Sequence, residues 1–201
     1  FDVELSGDTS LSKRPMKRVT DPLAEMGASV DTAEGGRPPL KINGGQRLHS
    51  FSYKMPMASA QVKSCVLLAG LYADGETCVT EPAPTRDHTE RMLRGLGYEV
   101  RQEGNKVCLT GGGSLKAQDI DVPSDISSAA FYLVGASIAP GSDLLIKHVG
   151  MNPTRTGVID ILKLMGADIE IMHERVVGGE PVADLRVRYA RLKGINIPED
   201  L

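Results

Sequence analysis

The sequence predicts an α/β fold built from repeated units, and three observations predict it. The stretches "DPLAEMGASV", "RMLRGLGYEV" and "DILKLMGADI" each read as the end of an amphipathic helix, then a glycine, then a strand. Their glycines, Gly27, Gly97 and Gly166, fall about 70 residues apart, a regular interval that marks duplicated units. Finally, "SAQVKSCVLLAGLYADGETCVTE" parallels "SSAAFYLVGASIAPGSDLLIKH". Both begin with small polar residues, continue as a helix apolar on nearly every face, turn, and enter a strand. A helix apolar all round is buried on all sides. Each unit should therefore hold one buried helix, one amphipathic outer helix and several strands; an ordinary βαβ sandwich without duplication is the alternative.

The elements follow in order. "FDVELSGD" reads as a strand over 2–6. A helix is predicted over 15–26, with Pro15 suited to its first turn and Pro22 expected to kink or restart it. Gly27 then closes it in a left-handed cap. Strands follow at 29–33, 39–43 and 48–53. Ser59 is a natural N-cap for a helix over 59–72, which turns at Asp74-Gly75 into a strand over 77–81. A helix over 86–96 and strands over 98–102 and 106–110 complete that unit. The glycine-rich "TGGGS" closes one region and "DIDVPSDISS" opens another, which puts a domain crossing near 116–124. The last unit reads as a helix over 126–138, a turn at Pro140-Gly141, a strand over 143–148, a helix over 154–165, and strands over 167–172 and 184–189.

Length and charge bound the function. The 201 residues make one large domain or two small ones. A net charge of −3 implies no nucleic-acid or membrane partner, so any anion site must be local. Cys65, Cys78 and Cys108 are not spaced as a zinc knuckle or a redox pair; free, mostly buried thiols suit a reducing cytosol. No apolar stretch is long enough to span a bilayer. The chain opens at Phe1 inside a strand, so an internal start is expected. "GGRPP", "NGGQ" and "TGGGS" lack the Lys-Ser/Thr or strand-to-helix setting of a phosphate loop. No Ser-His-Asp spacing or metal-ligand cluster stands out.

Three helix starts carry cations or capping groups. In "MPMASAQVKS", the Ser59 hydroxyl, the first free N–H groups and the Gln61 amide leave one positively polarised helix end, ready for a phosphate or carboxylate. Plain capping by Ser59 with a solvated Gln61 is the reading the residues alone favour, and Lys63 adds charge on a face of its own. In "TRDHTERML", Thr85 can cap the helix and Asp87 complements its dipole. Arg86 is left at the mouth, in reach of a phosphate by forked hydrogen bonds. His88 shows no partner for catalysis and reads as structural. Arg155 in "NPTRTG" stands 11 residues before Gly166 as Arg86 stands 11 before Gly97, so an arginine here could equally support the fold. In "GDTSLSKRPM", Lys13 and Arg14 precede Pro15 and form a third cationic start. In a fold with repeat symmetry the three could converge on one anionic ligand.

These residues carry a resemblance. "GDTSLSKRPMKRV", "MASAQVKSCVLLAGLYADGET", "EPAPTRDHTERML" and "PSDISSAAF" closely resemble the EPSP synthase (3-phosphoshikimate 1-carboxyvinyltransferase) family over nearly the whole chain. The "SAQVK" motif and Asn152-Pro153-Thr154-Arg155 are similar to its glyphosate-tolerant bacterial class. The resemblance implies an inside-out α/β barrel of βαβαββ units around buried helices. One domain would be mostly present (1–118, the shikimate-phosphate-binding domain) and the second truncated (119–201). It implies transfer of the carboxyvinyl group from phosphoenolpyruvate to shikimate 3-phosphate, with no cofactor and no metal. It gives Ser59, Ala60 and Gln61 to shikimate 3-phosphate, Gln61 also to phosphoenolpyruvate, Arg14 to phosphoenolpyruvate, and Arg86 beside Thr85 to the shikimate phosphate. The partners would be these two small molecules, with neither nucleic acid nor membrane, in a cytoplasmic protein monomeric at full length. The family's opening Lys-Ser and Asn-Ala-Gly-Thr segments and its acid-base Asp and Lys have no counterpart in these 201 residues. The chain is therefore expected to be an internal fragment, inactive alone. A UDP-N-acetylglucosamine enolpyruvyl transferase and a non-catalytic anion-binding module are the competing readings.

Overall fold

The computed structural model describes residues 1–198. The chain folds as two compact units, one of Phe1–Thr85 with Gly97–Lys116, the other of Arg86–Leu96 with the chain from Ala117 onward.

In the first unit, β1 (Val3–Leu5), β2 (Ser29–Ala33) and β3 (Arg37–Asn43) form an antiparallel sheet in the order β1-β3-β2. A second sheet joins β4 (Ser52–Lys54), β5 (Glu76–Thr80), β6 (Arg101–Glu103) and β7 (Lys106–Thr110) in the order β4-β5-β7-β6. There β4 runs parallel to β5 and the other pairs are antiparallel. Helix α1 (Lys17–Glu25) packs on β2 and on α2 (Ala60–Gly70), and α2 lies over β5 and β7. Val62, Val66, Leu67, Val79, Val107 and Leu109 are buried between them.

The second unit contains α3 (His88–Gly95), α4 (Ile126–Ile138) and α5 (Gly157–Leu164). Its antiparallel sheet runs β8-β10-β9, from β8 (Asp143–Gly150), β9 (Asp168–Val177) and β10 (Glu180–Arg188). The core joins Ile126, Ala129 and Leu133 of α4 to Val149, Ile159, Leu185 and Val187.

The duplicated-unit reading is visible in the topology. Each sheet contains one strand, then the later strand of a hairpin, then the earlier one: β1-β3-β2, β5-β7-β6, β8-β10-β9. A parallel neighbour flanks two of them, β4 beside β5 and the Ser124–Val149 bridge beside β8. All five predicted helices and ten predicted strands form. Gly27 and Gly166 close α1 and α5 with φ of 98° and 94°. Each leaves the next amide to reach back into the helix, Ala28 N–H to the Leu23 carbonyl and Ala167 N–H to the Leu162 carbonyl, both at 2.9 Å. A side chain at either glycine would be strained in that conformation.

Four expectations are corrected. Helix α1 begins at Lys17, so Pro15 precedes it rather than filling its first turn, and it runs without restart across Pro22. Pro22 forfeits the N–H that would meet the Arg18 carbonyl and crowds that carbonyl with its ring, a cost that the packing of α1 on β2 and α2 offsets. The cysteines are not all free: Cys78 and Cys108 form a disulfide, leaving Cys65. They face each other directly in the β5–β7 register, a pairing that a separation of 30 positions conceals in the sequence. Glu76 lies with these two sulfurs, but sulfurs bonded to each other leave it the sole ligand for a metal there. Nor is either apolar helix covered on all sides: Phe131 (80% exposed), Tyr132 and Ile138 of α4, and Leu68 of α2, face solvent.

Candidate anion-binding site

The start of α2 is built by capping. Ser59 is extended (φ −155°, ψ 105°), and its Oγ accepts the Val62 N–H at 3.4 Å. The Lys63 N–H closes the first backbone bond on the Ser59 carbonyl at 3.0 Å. The N–H groups of Ala60 and Gln61 lie ahead of that bond, at the positively polarised end. Gln61 is exposed but not simply solvated, since Arg18 Nη2 donates to its Oε1 at 3.1 Å across the α1–α2 packing.

Lys63 turns inward rather than toward this end. It is 1% exposed, and its Nζ meets Glu81 Oε2 at 3.0 Å. Glu81, 4% exposed, accepts the Thr85 hydroxyl on its other oxygen, Oε1, in a short hydrogen bond. Its backbone is locked to Asn105, with Glu81 N–H to the Asn105 carbonyl at 2.9 Å and Asn105 Nδ2 to the Glu81 carbonyl at 2.6 Å. The structure thus joins Ser59, Ala60 and Gln61 to Thr85 through Lys63 and Glu81, all within the first unit. Thr85 does not cap α3; Asp87 stands in that position.

Arg14 lies in the extended residue after the short 3-10 turn Leu11–Lys13. Arg86 follows Thr85 directly. Both are exposed, and among the described residues no acceptor meets either guanidinium. Arg155, the repeat counterpart of Arg86, differs. Its Nη2 is bound by Asp125 Oδ1 at 2.8 Å and Ser127 Oγ at 2.5 Å, so it supports the start of α4. A cavity of about 540 Å³ in the first unit is lined by Tyr98, Arg101 and the glycine-rich 110–114 turn, and includes none of Arg14, Ser59, Gln61 or Thr85.

The rest of "TRDHTERML" packs in the second unit. Buried Asn152 donates through Nδ2 to Asp87 Oδ1 at 2.7 Å and Glu180 Oε2 at 3.1 Å. Its Oδ1 accepts the Thr154 N–H and hydroxyl at 3.0 and 2.7 Å. Asp87 also pairs with Arg91 at 2.9 Å. Burial pushes the Asp87 carboxyl up, but hydrogen bonds from Arg91 and Asn152 and the Arg91 charge outweigh it and hold the group below the usual carboxylate range. His88 is not without a partner, as the sequence implies, since its Nδ1 lies 2.7 Å from Glu180 Oε1. That pair fastens α3 to β10, so His88 remains structural. A cavity of about 250 Å³ opens beside it, lined by His88, Asp125, Asn152, Arg155 and Glu180 among others.

Sequence reasoning misses Arg18, Glu81 and Glu180, and gives Asn152 no contacts, because Gln61, Lys63, His88 and Asp87, which they meet, are distant in the chain. A signal did exist for Glu81: a lysine inside a helix otherwise apolar all round needs a buried acid.

The EPSP synthase (3-phosphoshikimate 1-carboxyvinyltransferase) family model matches residues 1–199. The chain is 69% identical over 201 residues to the 3-phosphoshikimate 1-carboxyvinyltransferase of Alkalilimnicola ehrlichii, covering 100% of this chain and 45% of that one. It is 67% identical over 199 residues to that of Methylococcus capsulatus, covering 99% and 46%. EPSP synthase from Acinetobacter baumannii superposes with a TM-score of 0.91 at 60% identity, over 100% of this chain and 45% of that one. The chain thus spans about half the length of the relatives it matches. Its repeated α/β topology, its motifs and this match from end to end place the chain in the EPSP synthase family.

Proposed function

We propose that the protein carrying this chain transfers the carboxyvinyl group of phosphoenolpyruvate to shikimate 3-phosphate. The products are 5-enolpyruvylshikimate 3-phosphate and inorganic phosphate, in aromatic amino-acid biosynthesis. Two multiply charged anions must meet against their repulsion, and fixed guanidinium groups and helix N-termini offset that without reorganising. Ser59, Ala60 and Gln61 take the shikimate ester, Gln61 also touching phosphoenolpyruvate. Arg14 takes phosphoenolpyruvate, and Arg86, carried on Thr85, takes the shikimate phosphate. The proton donor to the enol carbon and the base at the attacking hydroxyl come from outside these residues. Residues 1–118 serve as most of the shikimate-phosphate-binding domain and 119–201 as the start of the second. The protein works in the cytoplasm as a monomer on two small molecules, without cofactor or metal.

The observation that carries this reading is that Arg14 and Arg86 are exposed without an internal anion, whereas Arg155 at the repeat position is spent on Asp125. The test is phosphate release from phosphoenolpyruvate by the protein extended to its relatives' length. Turnover is expected with shikimate 3-phosphate and not with UDP-N-acetylglucosamine, and the 201-residue chain alone should give none. Turnover with the nucleotide sugar, or substrate binding without turnover at full length, would overturn it.

A further inference from the structure

We infer that Glu81 is a positioning residue for substrate binding, holding the start of α2 and Thr85 in register through its two carboxylate oxygens. The inference rests on the function proposed above and adds a residue to which that reading gives no part.

Three observations carry it. Lys63 and Glu81 are both almost fully buried, at 1% and 4% exposed, and face each other at 3.0 Å. A buried ion pair is a weak stabiliser, because desolvating two charges offsets most of their attraction, and an apolar pair of similar volume often serves stability as well or better. What it supplies instead is direction: each oxygen addresses one partner at a fixed angle. Oε2 holds Lys63, whose own N–H closes the first turn on Ser59. Oε1 holds the Thr85 hydroxyl. Glu81 itself cannot shift, since its N–H and carbonyl are both bound to Asn105. Between Glu81 and Thr85 the sequence is Pro82-Ala83-Pro84, and two prolines with fixed φ stiffen that span. One buried carboxylate therefore sets the offset between Ser59–Gln61 and Thr85.

The test replaces the pair as a pair in the protein extended to its relatives' length. Lys63→Met with Glu81→Leu removes both charges of the pair together, and its melting curve checks that it is folded. The KM for shikimate 3-phosphate, with phosphoenolpyruvate saturating, should nonetheless rise about tenfold, the scale of one lost charge-assisted hydrogen bond, with kcat changed far less. Glu81→Gln, which keeps the shape, should raise the same KM, and Lys63→Arg, which keeps the pair, should retain most of the affinity. A folded double variant with wild-type KM would reduce Glu81 to a structural ion pair and sink the inference; if the double variant does not fold, wild-type KM in folded Glu81→Gln does the same. A wild-type protein that does not use shikimate 3-phosphate at all refutes the functional reading and this inference with it, an outcome distinct from a variant that simply matches wild type.

Discussion

Arg14 and Arg18 stand four positions apart, yet the structure gives them different work. The Arg18 guanidinium is engaged by the Gln61 side-chain oxygen at 3.1 Å; Arg14 has no acceptor among the described residues. An arginine with its five donors unspent can grip a carboxylate or phosphate in forked geometry. One already shared with an amide mainly orients that amide. If the protein extended to its relatives' length has the function proposed above, Arg14→Ala should raise its KM for phosphoenolpyruvate about 10- to 100-fold, the loss of a hydrogen bond to a charged group. Arg18→Ala should cost about threefold to tenfold, through a Gln61 left free to rotate. Steady-state kinetics with phosphoenolpyruvate varied at saturating shikimate 3-phosphate separates the two, and equal penalties would remove the distinction. The motif names Arg14 and Gln61 from sequence, but not Arg18, because only the packing of α1 on α2 brings positions 43 residues apart together.

The elements were largely legible because each obeys a local rule. Ser59 caps α2, Gly27 and Gly166 terminate α1 and α5, and periodicity locates the strands between them. What stayed hidden is where the elements attach. The α3 stretch reads as the outer helix of its own unit, but Asp87 and His88 are held by Asn152 and Glu180, 65 and 92 residues on. Cys78 and Cys108 show the same limit, since strand register and not spacing makes them partners. Local rules are written within a few residues of chain; attachment is decided by groups that only the fold brings near. The docking of α3 makes a pH prediction. The Asp87 carboxyl is held below its ordinary value, so its contribution is fully present above the unfolded carboxylate pKa and is lost as pH falls through the folded one. Urea midpoints should therefore fall in acid more steeply for the wild type than for Asp87→Asn. Asn152→Ala, which strands two half-buried carboxylate acceptors, should lower stability by about 1–3 kcal/mol at neutral pH. Parallel acid limbs for wild type and Asp87→Asn would show that the carboxyl does not hold α3.

One three-strand order recurs in all three sheets, and this repeated plan leaves part of a helix surface uncovered. In α4, Ile126, Ala129 and Leu133 are sealed against Val149 and Leu185. Phe131, Tyr132, Val134 and Ile138, on the same helix, are exposed by 80%, 63%, 40% and 58%. A sequence apolar on every face needs cover on every face, and one sheet covers only one of them. The relatives of this chain are more than twice its length, the chain covering 45% of the first, so further repeats in a protein of that length can supply the missing cover. Contiguous exposed aromatic and aliphatic groups bind hydrophobic dyes and drive self-association. The isolated 201-residue chain should therefore enhance the fluorescence of an anilinonaphthalene dye and sediment as a concentration-dependent mixture. The protein extended to its relatives' length should do neither. Phe131→Ser with Tyr132→Ser should lower the dye signal of the isolated chain, because these side chains take no part in the Leu133 core, yet destabilise the extended protein, where they would be buried. Equal dye binding by the short and long proteins would mean that α4 keeps its open face at full length, and that the repeated plan does not close around its helices.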